Sequence, residues 1–182
     1  MKILIKWTLR IFVFLGLGFL SLSVASVALT PAAIEPSLNP GGAVIRVYGA
    51  DVWGIRGRFA IHTWIATKGV ADDDFTLHEI IGWRLRRNGT ALTITRGQPD
   101  RPWFNSPAIL LHEVTGDMAA ELIPKVHAAI HSYPYAKDYT MWPGPNSNSF
   151  TEWVGLRVPA LKLNLPTKAI GRSWMIDNYD SE

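Results

Sequence analysis

Apolar and polar positions change their spacing three times along the chain. From Ile11 to Thr30, "IFVFLGLGFLSLSVASVALT", apolar and small residues fill every position and no charge occurs. From Ala43 onward, β-branched and aromatic residues dominate short runs. "AVIRVYGA", "RFAIHTWIAT" and "AILLHEV" each predict a strand. "DFTLHEIIGWRLRR" reads as one long strand, and Asn88-Gly89 after it suits a two-residue hairpin turn with "TALTITR" returning. Beyond Gly116 the period lengthens. Met118, Leu122, Val126 and Ile130 stand four residues apart, on one face of a helix. Pro124 would kink that helix or mark its first turn, and Pro134 stops it. "SFTEWVGLRV" predicts a second helix over 149–157, with Ser149 and Glu152 placed as a capping box. Strands first and helices after predict an α+β domain, its helices packed on one side of an antiparallel sheet.

The first regime sets the chain's address. Twenty helical residues rise about 30 Å, the depth of a bilayer's hydrocarbon core. Lys2, Lys6 and Arg10 precede the segment, and no basic residue follows until Arg46. By the positive-inside tendency the N-terminus stays in the cytoplasm and the remainder is exported. The expectation is a single-pass inner-membrane protein whose domain faces the periplasm or cell exterior. Ser26-Val27-Ala28 also fits a signal cleavage site, so residues 1–30 read as an anchor or a signal segment. Residues 31–42, "PAAIEPSLNPGG", read as a linker, and residues 43–182 as one exported domain.

Charge then narrows the class of partner. The formal net charge is +3. Lys2, Lys6 and Arg10 account for three of the 18 basic residues, which leaves 15 against 15 acidic residues, all at Glu35 or later. A near-neutral domain has no electrostatic footprint for nucleic acid. Cysteine is absent, which excludes disulfides, thiolate metal sites and a cysteine nucleophile.

A covalent mechanism therefore needs serine or threonine with a base. Ser147 stands in "WPGPNSNSF", at the start of the second predicted helix, where unpaired amides favour a developing negative charge. Asn and Ser are also preferred helix caps, so capping alone is the competing role. His62 lies mid-strand with Ala60 and Trp64 on its face. Glu79 shares an apolar strand face with Phe75, Leu77, Ile81 and Trp83, where a lone carboxylate needs a partner: a histidine to orient or an arginine to pair. His78 points to the other face. His127 and His131, four apart, form a potential metal pair without an evident third ligand, and read as helix-surface residues. Tyr133, Tyr135, Tyr139 and Trp142 are candidates to line a groove, ordinary loop packing being the alternative.

Taken together, "HTWIA", "IIGWRLRR", "SYPYAKDYTMWPGPNSNSF" and "PTKAIGRSW" resemble a bacterial family known as domain of unknown function 3750, over about Val44 to Trp174. More distantly, the chain resembles permuted relatives of the NlpC-type papain-like hydrolases. Those proteins place a histidine on an early strand and a nucleophile at a later helix start, often in a string like Asn-Cys-Asn-His-Phe. That likeness implies Ser147 in the cysteine's place, His62 as the base, and Glu79 or His78 as the third polar residue. It implies a hydrolase or acyl transferase of amidase, peptidase or esterase type, acting on peptidoglycan peptide or lipid, with no cofactor and no metal. Asn146, Asn148, Trp142 and Tyr135 are the expected substrate contacts. The alternative is a binding or scaffolding module that keeps the fold without the chemistry.

Overall fold

A computed structural model describes residues 33–37 and 42–179. Five strands form one antiparallel sheet: β1 (Val44–Asp51), β2 (Ile61–Lys68), β3 (Phe75–Ile80), β4 (Leu92–Gly97) and β5 (Ile109–Thr115). Their spatial order is β4-β3-β2-β1-β5. Four helices accompany them among the described residues: α1 (Gly82–Asn88), α2 (Gly116–His131), α3 (Ser147–Arg157) and α4 (Arg172–Asn178).

Period-two alternation divides the strand residues between two faces. Ile45, Val47, Ile61 and Ile65 meet Leu122, Val126 and Ile130 of α2, Phe150 and Val154 of α3, and Met175 of α4 in the main core. Tyr48, Ala50, Trp64, Ala66 and Leu77 form a second cluster on the other face, closed by Trp103 from the segment between β4 and β5. The α+β architecture with helices on one side is thus the one expected. Of the stripe on α2, Leu122, Val126 and Ile130 are buried while Met118 is exposed, and Pro124 is carried inside the continuous helix.

Two local expectations are corrected. The long strand through Arg87 ends at Ile80, and "GWRLRRN" turns into α1. Asn88-Gly89 is accordingly not a hairpin turn. Gly89 takes φ 70 and sends its amide back to the Leu85 carbonyl, a left-handed helix end that glycine adopts without a Cβ clash. β4 still pairs with β3, as the returning strand was expected to do. The second correction is that α3 begins two residues earlier than 149, with Asn146 as its cap and Ser149, not Glu152, completing the capping box. Neither α4 nor the short 3-10 turn over Gly54–Arg58 is foreshadowed by periodicity.

The expected membrane helix over 11–30 lies outside the described residues. Among the described residues no helix is long and apolar enough to cross a membrane.

Histidine burial makes the fold sensitive to acid. The helix-side face of β3 carries His78, which shares a hydrogen bond with the Thr67 hydroxyl and keeps Nδ1 buried without a partner. Burial, with His127 and His131 nearby, pushes its pKa down to about 3. Burial also lowers His62, His112 and His127 below their usual range. A base whose folded pKa is depressed stabilises the fold above its unfolded pKa, near 6.5, and loses that contribution as pH falls. His78 alone should remove about 1.4 kcal/mol per pH unit below 6.5 until its folded pKa is reached. Urea unfolding at pH 7 and pH 4.5 should show a much lower midpoint in acid. An unchanged midpoint would contradict neutral burial of these rings.

Candidate active site

Chemistry-bearing residues converge at one end of the sheet, where two strands part. β2 and β3 pair only over Ile65–Thr67 and Thr76–His78, although both strands continue toward Ile61 and Ile80. A cavity of about 440 Å³ occupies this end, lined by His62 and Trp103 from the outer face and by Asn146, Ser147 and Asn148 from the helix layer.

Helix α3 is pinned there by its two asparagines. The Asn146 carboxamide oxygen accepts from the Asn148 and Ser149 amides, and the Ser149 hydroxyl accepts from the Asn146 amide. The Asn146 Nδ2 donates to the Met141 and Ile170 carbonyls. Asn148 Nδ2 donates to the Ile61 and Ile170 carbonyls, at 2.9 and 2.8 Å, while its oxygen accepts from Thr63. Both the oxygen and the nitrogen of each carboxamide are therefore spent within the fold. Asn146 and Asn148 thus position the start of α3 against β2, and both also line the cavity.

This arrangement frees Ser147. Asn146 does the capping, and the Ser147 side chain makes no hydrogen bond among the described residues, yet it lines the cavity. As the first residue of an 11-residue helix, it also carries an amide with no intrahelical acceptor.

On the outer face, His62 Nε2 lies 2.9 Å from Glu79 Oε2. Arg101 holds the other carboxylate oxygen, so Glu79 takes both roles open to it: it orients a histidine and pairs an arginine. His78 points to the helix side and takes no part. Burial raises the Glu79 pKa, but the hydrogen bond from His62 and the Arg101 guanidinium outweigh it and hold the carboxyl below its usual range. Burial lowers His62 more than Glu79 raises it, so the imidazole is neutral. A carboxylate can only accept, which places the ring proton on Nε2 and a lone pair on Nδ1. Nδ1 makes no hydrogen bond among the described residues, and His62 is one of the residues that line the cavity.

No hydrogen bond joins His62 to Ser147. His62 belongs to the sheet face away from the helices, and the cavity is what the two side chains share. Of the expected groove aromatics, Tyr139 and Trp142 line the cavity, with Trp142 at 73% exposure. Tyr135 instead packs edge-on against Trp174, and Tyr133 against Phe150 in the core. His127, half-buried, hydrogen-bonds Thr67 and stands 5.1 Å, ring to ring, from His78, so it is the partly exposed member of a network on the helix face.

A family model described as "Protein of unknown function (DUF3750)" matches residues 42–174. The chain belongs to this family. Neither a curated protein nor a solved structure matches it. The DUF3750 match begins just before β1 and ends within α4, so His62, Glu79, Arg101 and Ser147 all fall inside it.

Within this DUF3750 domain, periodicity missed the segment between β4 and β5. Trp103 stacks on the His62 ring at 3.7 Å between centroids and 8° between planes. Arg101 lies over both Trp64 and Trp103, at 5.3 Å from each ring centre. The Trp64 indole fastens the segment by donating to the Pro99 carbonyl. The run "GQPDRPWFNSP" has no period to read. Its signal was an arginine and a tryptophan set among prolines in a loop.

Gly171 is a second residue that periodicity could not mark. It has φ 102, and a Cβ there would fall 2.3 Å from Asn146 Nδ2. Gly171→Ala should therefore strain the backbone and dislodge the cap of α3, at a cost of about 2–4 kcal/mol. Thermal unfolding against wild type measures this, and a loss below about 0.5 kcal/mol would show that Asn146 is free to move aside.

Proposed function

We propose that the domain is a membrane-anchored envelope hydrolase or acyl transferase that uses Ser147 as its nucleophile. The observation that carries this reading is a neutral His62 locked to Glu79 through Nε2, its Nδ1 unpaired, in the lining of a cavity that is also lined by the uncommitted Ser147.

The Ser147 oxygen would attack the carbonyl carbon of an amide or ester while Nδ1 of His62 takes the hydroxyl proton. Glu79 accepts from Nε2–H and stabilises the imidazolium, as the third member of such units does. The unpaired Ser147 amide, at the positive end of α3, would donate to the oxyanion. Collapse of the intermediate expels an amine or alcohol, which takes the proton back from His62. Water, or a second acceptor, then releases the acyl group from Ser147 by the same steps reversed.

The permuted papain-like relation belongs to this reading. Its support is the order of parts: a strand histidine, a carboxylate on the next strand, and a nucleophile at a later helix start. The anchor would be residues 11–30, with the domain outside the cytoplasm. The substrate would be a peptidoglycan peptide or a lipid. The missing Ser147–His62 hydrogen bond is what favours a binding module instead, although such contacts often tighten only when substrate is bound.

Intact mass after treatment with a fluorophosphonate tests the choice. One adduct on the wild type and none on Ser147→Ala supports the enzyme. No adduct on the wild type supports the binding module.

A further inference from the structure

The rim of the cavity carries a pattern that acyl transfer does not need. Trp53, Ile55, Phe59, Trp83, Phe104 and Trp142 are each more than half exposed, and all but Ile55 line the cavity. They come from four separate segments, so the exposure is shared by one surface and is not the slack of a single loop. Large apolar residues gathered on one exposed surface mark an interaction site.

Charge says what kind of site. Arg56 and Arg58 sit on the 3-10 turn beside Trp53, and Arg84, Arg86 and Arg87 on α1 beside Trp83. None of these five makes a salt bridge among the described residues; Arg56 lies over the Trp53 ring at 4.7 Å. Residues 52–71 and 81–98, which hold both elements, contain no acidic residue. On the other two rim segments, Arg101 is paired with Glu79, Asp100 lines a separate pocket with Asp73 and Asp74, and Asp138 stands next to Lys137. The domain is near neutral overall, so its excess positive charge at this end is local.

We propose that this rim docks on the surface of an anionic lipid bilayer. Tryptophan and other large apolar side chains enter the headgroup boundary, and arginines on the same elements meet lipid phosphates. Residues 11–30 would keep the domain within reach, and only in that respect does the proposal rest on the anchoring part of the proposed function. It does not depend on whether Ser147 reacts.

The absence of cysteine provides the test. Single cysteines replace Ile55, Trp142 or, as a control on α2, the exposed Lys125, in the full chain. Each is labelled with an environment-sensitive dye and reconstituted into nanodiscs of phosphatidylcholine with or without phosphatidylglycerol. Co-elution with the discs reads the anchor separately; a chain that does not co-elute is mixed with phosphatidylglycerol vesicles and read in the same way. Dyes at positions 55 and 142 should shift to the blue. A lipid-borne nitroxide should quench them several-fold more strongly than the dye at 125. Phosphatidylglycerol should strengthen this, and Arg56→Gln with Arg58→Gln in the Ile55→Cys chain should weaken it. Rim dyes that stay aqueous, or that are quenched no more than the control, overturn the proposal. So does quenching independent of phosphatidylglycerol. An adduct on Ser147 with no rim quenching would leave the enzyme reading intact and remove this one.

Discussion

Replacing Glu79 with alanine should destabilise the domain by about 3–5 kcal/mol, the usual cost of removing one partner from a buried charged pair. Glu79 is 2% exposed and is held from both sides, by His62 Nε2 and by Arg101. Its loss leaves an imidazole N–H buried without an acceptor and removes the countercharge of a guanidinium stacked on Trp64 and Trp103. Arg101 keeps about a third of its side chain in contact with solvent, at 30%, so its share of the loss is screened and the His62 share is not. Glu79→Gln keeps an acceptor for His62 and should cost less than alanine. Urea unfolding of both variants reads the difference. A loss under about 1 kcal/mol for Glu79→Ala would show that the cluster relaxes freely, and the histidine would then not be held in one orientation.

The parts of the fold that could be read from sequence are those with a simple period. "VIRVYGAD" and "IHTWIATK" alternate between two buried faces, and the α2 stripe repeats every four residues; all three elements stand where their patterns put them. The pattern failed where one residue changes the geometry. "FTLHEI" and "GWRLRRN" run together as an apolar-polar string, yet Gly82 lets the backbone pass against the Tyr139 ring, where a Cβ would lie 2.5 Å from ring carbon, and α1 starts there. The cap of α3 was legible as a class and not as a residue, because "NSNS" offers four candidate caps. Only tertiary contacts choose between them, since Ile61, Ile170 and Thr63 consume the side chain of Asn148 and Met141 and Ile170 hold that of Asn146.

The candidate site divides in the same way. Glu79 was conspicuous as a carboxylate in an apolar strand face, and its need for a histidine or an arginine could be read; His62 and Arg101 both meet it. Arg101 and Trp103 were not conspicuous, because an aperiodic loop carries no pattern until the fold lays it over β2. The cavity that His62 and Ser147 share lies where the pairing of β2 and β3 stops, and no local sequence feature encodes that stop.

Ser147 and His62 are proposed to act as one unit, and the rate of fluorophosphonate labelling is the sharpest test of that. If Nδ1 of His62 takes the serine proton, His62→Gln should slow labelling of Ser147 by about 10²–10⁴-fold, the usual contribution of a positioned base. Burial lowers the His62 pKa, so the wild-type rate should stay level through neutrality and fall only below pH 6.5, where the imidazole takes up its proton. Both results are expected in the same folded domain. A His62→Gln variant that unfolds like wild type and labels at the wild-type rate would contradict it.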